Sequence, residues 1–243
     1  MPTSRGQLVD GWLDLLLGGR CVGCERPGRL VCDACAAGLP SGGRPAWPQP
    51  VPAGLVAPWT AAEYAGVPRA MVIGHKEHRL LGLRAPLGRL LAGAVAAGVA
   101  DRTGPVVLVP VPSRPGAARG RGHDPTGAMT ARAARELRSV GADAVALPLL
   151  RSRRGVADQA GLGAEARAAN LAGSMHCPTE LLRRLAVRRP RARLVVCDDV
   201  LTTGATAREA QRALEGVGLH VVAIATVAAT RRRIGGASRS ADP

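Results

Sequence analysis

The stretch 194–206, LVVCDDVLTTGAT, holds the residues whose types and spacing could do chemistry. It reads as an apolar strand over 194–197 that ends in two adjacent carboxylates, Asp198 and Asp199. Val200 and Leu201 follow, then a turn of small residues, Thr202, Thr203, Gly204, Ala205 and Thr206, and a helical pattern from Ala207. Small hydroxyl residues and a glycine let the backbone curl, so that several N–H groups point one way. The helix behind them adds unsatisfied N–H groups and the positive end of its dipole. A phosphate suits such a place. Two carboxylates just upstream would repel a phosphate that faced them. A sugar diol or Mg²⁺ suits them better, since both seek acceptor oxygens. The implied ligand carries a phosphate with hydroxyls beside it, as in a ribose 5-phosphate. The plainer reading is an ordinary strand-to-helix turn with a threonine cap.

Cys21, Cys24, Cys32 and Cys35 form two CxxC pairs close together. Thiolates two residues apart can both turn onto one tetrahedral ion, and zinc is the expected metal. Four thiolates leave no open position, so the role would be structural. Two disulfides are the alternative, against which the lack of a secretion signal argues. A redox CxxC would call for one motif beside a βαβ unit rather than two.

The elements that must position these groups are sketched by composition and pattern. The chain has 243 residues, with three Trp, one Tyr and no Phe, so its core must be built from Leu, Val and Ala. Its net charge is +15, nearly all from arginine. Lys76 is the only lysine and Asn170 the only asparagine. This usage fits GC-rich coding, which turns interchangeable lysines into arginine. A surviving lysine then marks a place that needs a compact, titratable ammonium, or is simply the one that remained. His75 and His78, beside it, read as solvated or phosphate-side residues in a polar bend. No apolar run is long enough to span a bilayer and no signal peptide is evident, so a cytoplasmic protein is expected.

Alternating patterns predict a strand and turn over 60–67, a helix over 87–99 and a strand over 105–111. The strand runs into a Gly- and Arg-rich loop over 112–122, with Arg114, Arg119 and Arg121. Such a loop suits pyrophosphate, or is a basic surface loop. A helix over 126–140, a strand over 144–150, a short helix over 181–185 and a strand over 219–228 complete the pattern. The irregular polar stretch 155–174, with Gln159, Arg167 and Asn170, reads as a flap over a site. The expected layout is a helix plus zinc module over 1–45, a Pro/Gly-rich linker over 46–58, a main domain over 59–230 and a disordered basic tail over 231–243. The fold class is α/β, a mostly parallel sheet flanked by helices, with ligands at the carboxyl ends of the strands.

Every position of 194–206 fits the phosphoribosyl-pyrophosphate (PRPP) signature of the type I phosphoribosyltransferases. Over nearly its full length the chain resembles the ComF family of phosphoribosyltransferase-like competence proteins. The four cysteines match that family's N-terminal zinc finger, and Lys76 matches a lysine after its first apolar segment. Val109-Pro110-Val111-Pro112 with Arg121-Gly122 match its PVP and RG stretch. Arg154, Gln159, Arg167 and Asn170 match its R, Q, R and N segment, and residues 198–206 its PRPP loop. His123-Asp124-Pro125 departs from the family's Phe-Asn-Gln.

The resemblance implies a phosphoribosyltransferase that binds PRPP with Mg²⁺ and passes ribose 5-phosphate to an acceptor it does not name. Asp198 and Asp199 would hold the ribose hydroxyls and the 202–206 loop the 5-phosphate. Lys76, Arg114, Arg119 and Arg121 would neutralise pyrophosphate, and Gln159, Arg167 and Asn170 would close over it. Family members are linked to DNA uptake. A second reading is a non-catalytic adaptor that binds single-stranded DNA through its basic surface and zinc module. The charge favours it. The four aromatics of the chain speak against it, because single-strand binders stack bases on aromatic rings.

Overall fold

A computed structural model of the chain describes residues 19–100, 104–113, 124–153 and 173–230. The expected leading helix, the tail over 231–243 and nearly all of the expected flap lie outside the described residues. So do Arg114, Arg119, Arg121, Arg154, Gln159, Arg167 and Asn170.

The elements in chain order are α1 (Asp33–Ala37), β1 (Arg44–Pro45), β2 (Pro58–Glu63), α2 (Gly66–Lys76), a 3-10 turn (Leu81–Leu83) and α3 (Arg84–Gly98). Then come β3 (Val106–Pro110), α4 (Pro125–Ser139), β4 (Ala144–Ala146), β5 (Arg151–Ser152) and β6 (Met175–His176). The chain continues through α5 (Thr179–Arg188), β7 (Arg193–Leu201), α6 (Ala205–Glu215) and β8 (Val221–Ala229).

Six strands form one sheet in the order β1-β2-β8-β7-β3-β4. Every pairing is parallel except that of the edge strand β1 with β2. β5 and β6 make a separate antiparallel pair.

The period of two along each strand divides the core into two layers. Val106 and Leu108 of β3, Val195 and Cys197 of β7, and Ala223 and Ala225 of β8 pack with Met71, Leu83, Leu87, Leu91 and Met129 from α2, α3, α4 and the turn before α3. Val107, Val109, Leu194, Val196 and Ile224 pack on the other face with Ala207, Ala210 and Leu214 of α6. The helices thus flank a mostly parallel sheet, as expected. With no phenylalanine available, alanines on β8 and α6 keep the layers close.

Several boundaries differ from expectation. β7 does not stop at Cys197 but runs through both acids to Leu201, its register against β8 continuing from Asp198 opposite Thr226 to Leu201 opposite Ala229. The turn shrinks to 202–204, and α6 starts at Ala205. β4 ends at Ala146 rather than near 150. Leu147 still donates to the Leu108 carbonyl at 2.9 Å, but Pro148 has no N–H with which to go on. The short helix expected over 181–185 is the ten-residue α5. Lys76 and His75 lie in the last turn of α2 and not in a polar bend. His75 is 2% exposed, with its ring nitrogens 3.4 Å from the carbonyl oxygens of Leu80 and Pro125. It is a core histidine, whereas His78 is exposed as expected.

The aperiodic stretch 46–58 is fastened to α6. Val56 N–H donates to Gln211 Oε1 at 3.1 Å, Gln211 Nε2 donates to the Gly54 carbonyl at 2.9 Å, and Arg208 Nε donates to the Ala53 carbonyl at 2.8 Å. Among the described residues no helix is long and apolar enough to cross a membrane.

Candidate functional site

The order of the sheet decides where a ligand can sit. From β3 the chain crosses through α4 to β4 on one side, and from β7 through α6 to β8 on the other. Neighbouring strands whose connections leave in opposite directions open a crevice at their carboxyl ends. Here the crevice lies between Val111-Pro112-Ser113 after β3 and Asp198 to Thr206 at the end of β7. A cleft of about 520 Å³ occupies it, lined by Ser113, Asp198, Asp199, Val200, Thr202 and Thr206. Lys76, Glu77, Tyr64, Ile73 and Thr126 close its other side.

Adjacent residues on a strand face opposite ways, so the two acids have different surroundings. Asp199 shares the face of Cys197 and meets α2, where Lys76 Nζ donates to its Oδ2 at 2.6 Å. Its other oxygen, Oδ1, accepts the Val200 N–H at 2.8 Å. Asp198 Oδ1 accepts the Asp199 N–H at 2.8 Å. Burial and the neighbouring Asp199 charge push the Asp198 carboxyl well above its usual range, against the pull of the Asp199 N–H and of Lys76. Burial depresses the Lys76 ammonium, but the Asp199 carboxylate outweighs it and raises the group above its ordinary 10.5. The acid pair therefore carries its own counter-cation.

The loop behind the acids turns at Gly204, whose φ of +76° is the left-handed region that glycine enters without strain. Thr203 Oγ1 accepts the Ala205 N–H at 3.4 Å, a local bond at the start of α6. The outer side of the turn is covered, since a Cβ on Gly204 would lie 3.0 Å from Pro48 Cγ and 3.2 Å from Pro52 Cγ. Farther along α6, Glu209 is buried and grips β6. It accepts the Met175 N–H at 2.9 Å and pairs with Arg212 at 2.6 Å. Burial works against its ionisation, yet those two donors hold the carboxyl below its usual 4.5.

The four-cysteine centre is built from a turn and a helix start. Glu25 N–H bonds to the Cys21 carbonyl at 2.8 Å, closing the first CxxC. Cys32 caps α1, and Ala36 N–H returns to its carbonyl at 2.8 Å. All four sulfurs lie within 4.8 Å of one another, with Cys24 Sγ and Cys32 Sγ 3.6 Å apart. A tetrahedral site with zinc–sulfur bonds of about 2.3 Å needs sulfurs about 3.8 Å apart. The donor set therefore fits a structural metal such as zinc. The Cys32 N–H points at Cys21 Sγ at 3.4 Å. Burial of Cys21 opposes ionisation, but N–H groups from Cys32, Gly23 and Cys24 bring its thiol down to about 6. Cys35, crowded by the thiols of Cys21, Cys32 and Cys24, is pushed up to about 12. A divalent cation relieves that crowding. Cys197 is a core thiol, as expected, fully buried with its ionisation suppressed by burial.

The same test goes against Mg²⁺ on the acid pair. Both oxygens of Asp199 already have donors, and Asp198 Oδ1 is taken by the Asp199 N–H. As arranged, the Lys76 ammonium stands where a cation would neutralise the pair.

Of the candidate residues, the structure brings Lys76, Asp198, Asp199, Val200, Thr202 and Thr206 to one cleft. Leu201 and Ala205 are buried beneath it. Pattern reading missed Tyr64, Glu77 and Thr126. Tyr64 had one signal, as the single tyrosine of the chain at the carboxyl end of a strand.

No protein-family model matches this chain, and no curated protein matches it.

Proposed function

We propose that the cleft binds PRPP and passes its ribose 5-phosphate to a nucleophilic acceptor. One observation carries the reading. A turn at a helix N-terminus and a pair of strand-end acids, one of them paired with a lysine, line a cleft of about 520 Å³ at the switch point of a mostly parallel sheet. The resemblance of 194–206 to the PRPP signature supports it.

In this reading the N-terminal N–H groups of α6 and the Thr202 and Thr206 hydroxyls hold the 5-phosphate. Asp198 and Asp199 accept hydrogen bonds from the ribose hydroxyls. As the C1–oxygen bond breaks, its electron pair leaves with pyrophosphate, and the ribose ring takes on positive charge. The carboxylates stabilise that charge. Lys76, released in part from Asp199 by the ribose hydroxyls, turns its ammonium to the departing pyrophosphate. The acceptor forms the new bond at C1 and gives up its proton. The resemblance also ties the chain to DNA uptake.

The test is calorimetric titration of the zinc-loaded protein with PRPP. Micromolar binding is expected. The Asp198→Ala, Asp199→Ala double variant should lose at least about 100-fold in affinity, since two hydrogen-bonding carboxylates at about 1.5–3 kcal/mol each are removed. A folded, zinc-loaded protein that does not bind PRPP would sink the reading.

The adaptor reading draws on Arg183, Arg184 and Arg191, which are exposed on and just after α5. It expects salt-dependent binding of single-stranded oligonucleotides that the acid-pair variant leaves unchanged.

A further inference from the structure

The four-cysteine module does not stand apart from the cleft. Leu30 belongs to the same buried cluster as Met71, Val72 and Leu83, and Val22, Val31 and Leu39 pack against that cluster. The closest approach is at the first CxxC. A Cβ on Gly23 would stand 2.8 Å from Val67 Cγ2 on α2 and 3.0 Å from Cys35 Sγ. Only a residue without a side chain fits between the sulfur cluster and that helix. Two residues before the end of α2 the contact is repeated in reverse. A Cβ on Gly74 would stand 3.6 Å from Val22 Cγ1 and 2.9 Å from Leu83 Cδ1. Both contacts lie on the helix whose last residue is Lys76.

The module also reaches the other wall of the cleft. The chain leaving it passes through 46–58, and Pro48, Pro52 and Leu55 cover Gly204, the turn residue of the candidate phosphate loop.

We infer that the four-cysteine module is a positioning element of the cleft, with Gly23 seating α2 so that Lys76 meets Asp199. Gly23 and Val67 are positioning residues, acting through α2. A metal held by the four thiolates fixes the turn that carries Gly23, and a fixed turn fixes α2. The distance from Lys76 Nζ to Asp199 Oδ2 is then a product of the module and not of the main sheet alone. This inference stands apart from the PRPP reading, because the ion pair exists without a ligand.

Lys76 is the only lysine, which makes the inference measurable. Its ε-amine is acylated with an N-hydroxysuccinimide ester at fixed pH, and the rate at Lys76 is read by peptide mass spectrometry. Each unit by which the ammonium pKa falls gives about tenfold more free amine and so about tenfold faster acylation. The zinc-loaded protein should react slowly, and Asp199→Asn should react about tenfold faster. Removal of zinc by a chelator should raise the rate by a similar factor. Gly23→Ala should do the same, since the new Cβ would strike Val67 Cγ2 at 2.8 Å and Cys35 Sγ at 3.0 Å. Val67→Ala alone should keep one zinc per chain while loosening the pair and raising the rate a few-fold. That variant reads the coupling even if the stripped or Gly23→Ala protein unfolds, which circular dichroism reports. Unchanged Lys76 acylation in Val67→Ala and in folded, metal-free protein would overturn the inference. No ligand enters the assay, so a failure to bind PRPP leaves its outcome intact.

Discussion

The two clusters of ionisable groups in this chain solve the same problem in opposite ways. At the four-cysteine centre, four sulfurs crowd within 4.8 Å with only each other and backbone N–H groups for company. In the cleft, Asp198 and Asp199 sit side by side, but Lys76 lies 2.6 Å from Asp199. The first cluster lacks a cation and fits a metal. The second brings its own and is left open to a polar ligand. Like charges therefore do not by themselves mark a metal site. What decides is whether the chain supplies the counter-charge.

The largest effect that could break this contrast is loss of the metal. Elemental analysis should find one zinc per chain. Cys24→Ser should lose it, and unfolding stability should fall by about 3 kcal/mol or more, because metal binding at such sites is folding energy. A zinc-free wild-type protein of unchanged stability would erase the distinction.

Next comes Lys76→Met, which strips the cleft of its own cation. Leaving a buried carboxylate unpaired should cost about 2 kcal/mol in denaturant unfolding. The variant should also gain what the wild type lacks, a rise in melting temperature with millimolar Mg²⁺. If Mg²⁺ stabilises the wild type equally without ligand, the acid pair is a cation site after all.

Gly204→Ala should cost about 1–2 kcal/mol, since a side chain resists a φ of +76°. It should also weaken PRPP binding, as the new Cβ would press on Pro48 and Pro52.

The smallest effect concerns pH. Glu209 is held below its usual 4.5 in the folded state. Its contribution is fully present above that value and is lost as pH falls below it toward the lowered folded value. Glu209→Gln should flatten the stability profile in that acid range, checked by chemical unfolding at several pH values. An unchanged slope would mean that the Glu209–Arg212 pair does not matter to stability.

Much of this was legible where neighbours in sequence are neighbours in space. The runs at β3, β7 and β8 are apolar because parallel strands are buried on both faces. The acids, turn and α6 are contiguous, and so are the two CxxC pairs. The sheet, its flanking helices and the cysteine cluster could therefore be read directly. Lys76 stands out in the sequence by its rarity and by its match to the lysine of the family that the chain resembles. Its contact with Asp199 spans 123 positions and follows from how α2 packs, which no local pattern encodes. His75 looks polar from its neighbours and is buried, because a whole helix, α2, which the pattern did not predict, runs through it in place of the expected bend. The stretch 46–57 looks structureless in part because Ala53, Gly54 and Val56 bond to the side chains of Arg208 and Gln211 rather than to a regular ladder. β7 was cut short at Cys197 because paired acids suit a loop, whereas here Lys76 and the backbone N–H groups of Asp199 and Val200 offset their charge within the strand.

The two outer strands of the sheet have a consequence for how copies of the protein meet. Among the described residues, one border is β1, two residues long and ending in Pro45, and the other is β4, three residues long and halted before Pro148. Each presents too few free backbone groups to recruit a strand from a second molecule. Along the described residues, β1 and β4 therefore give little purchase for growth of this sheet into a fibre or for pairing of two sheets rim to rim.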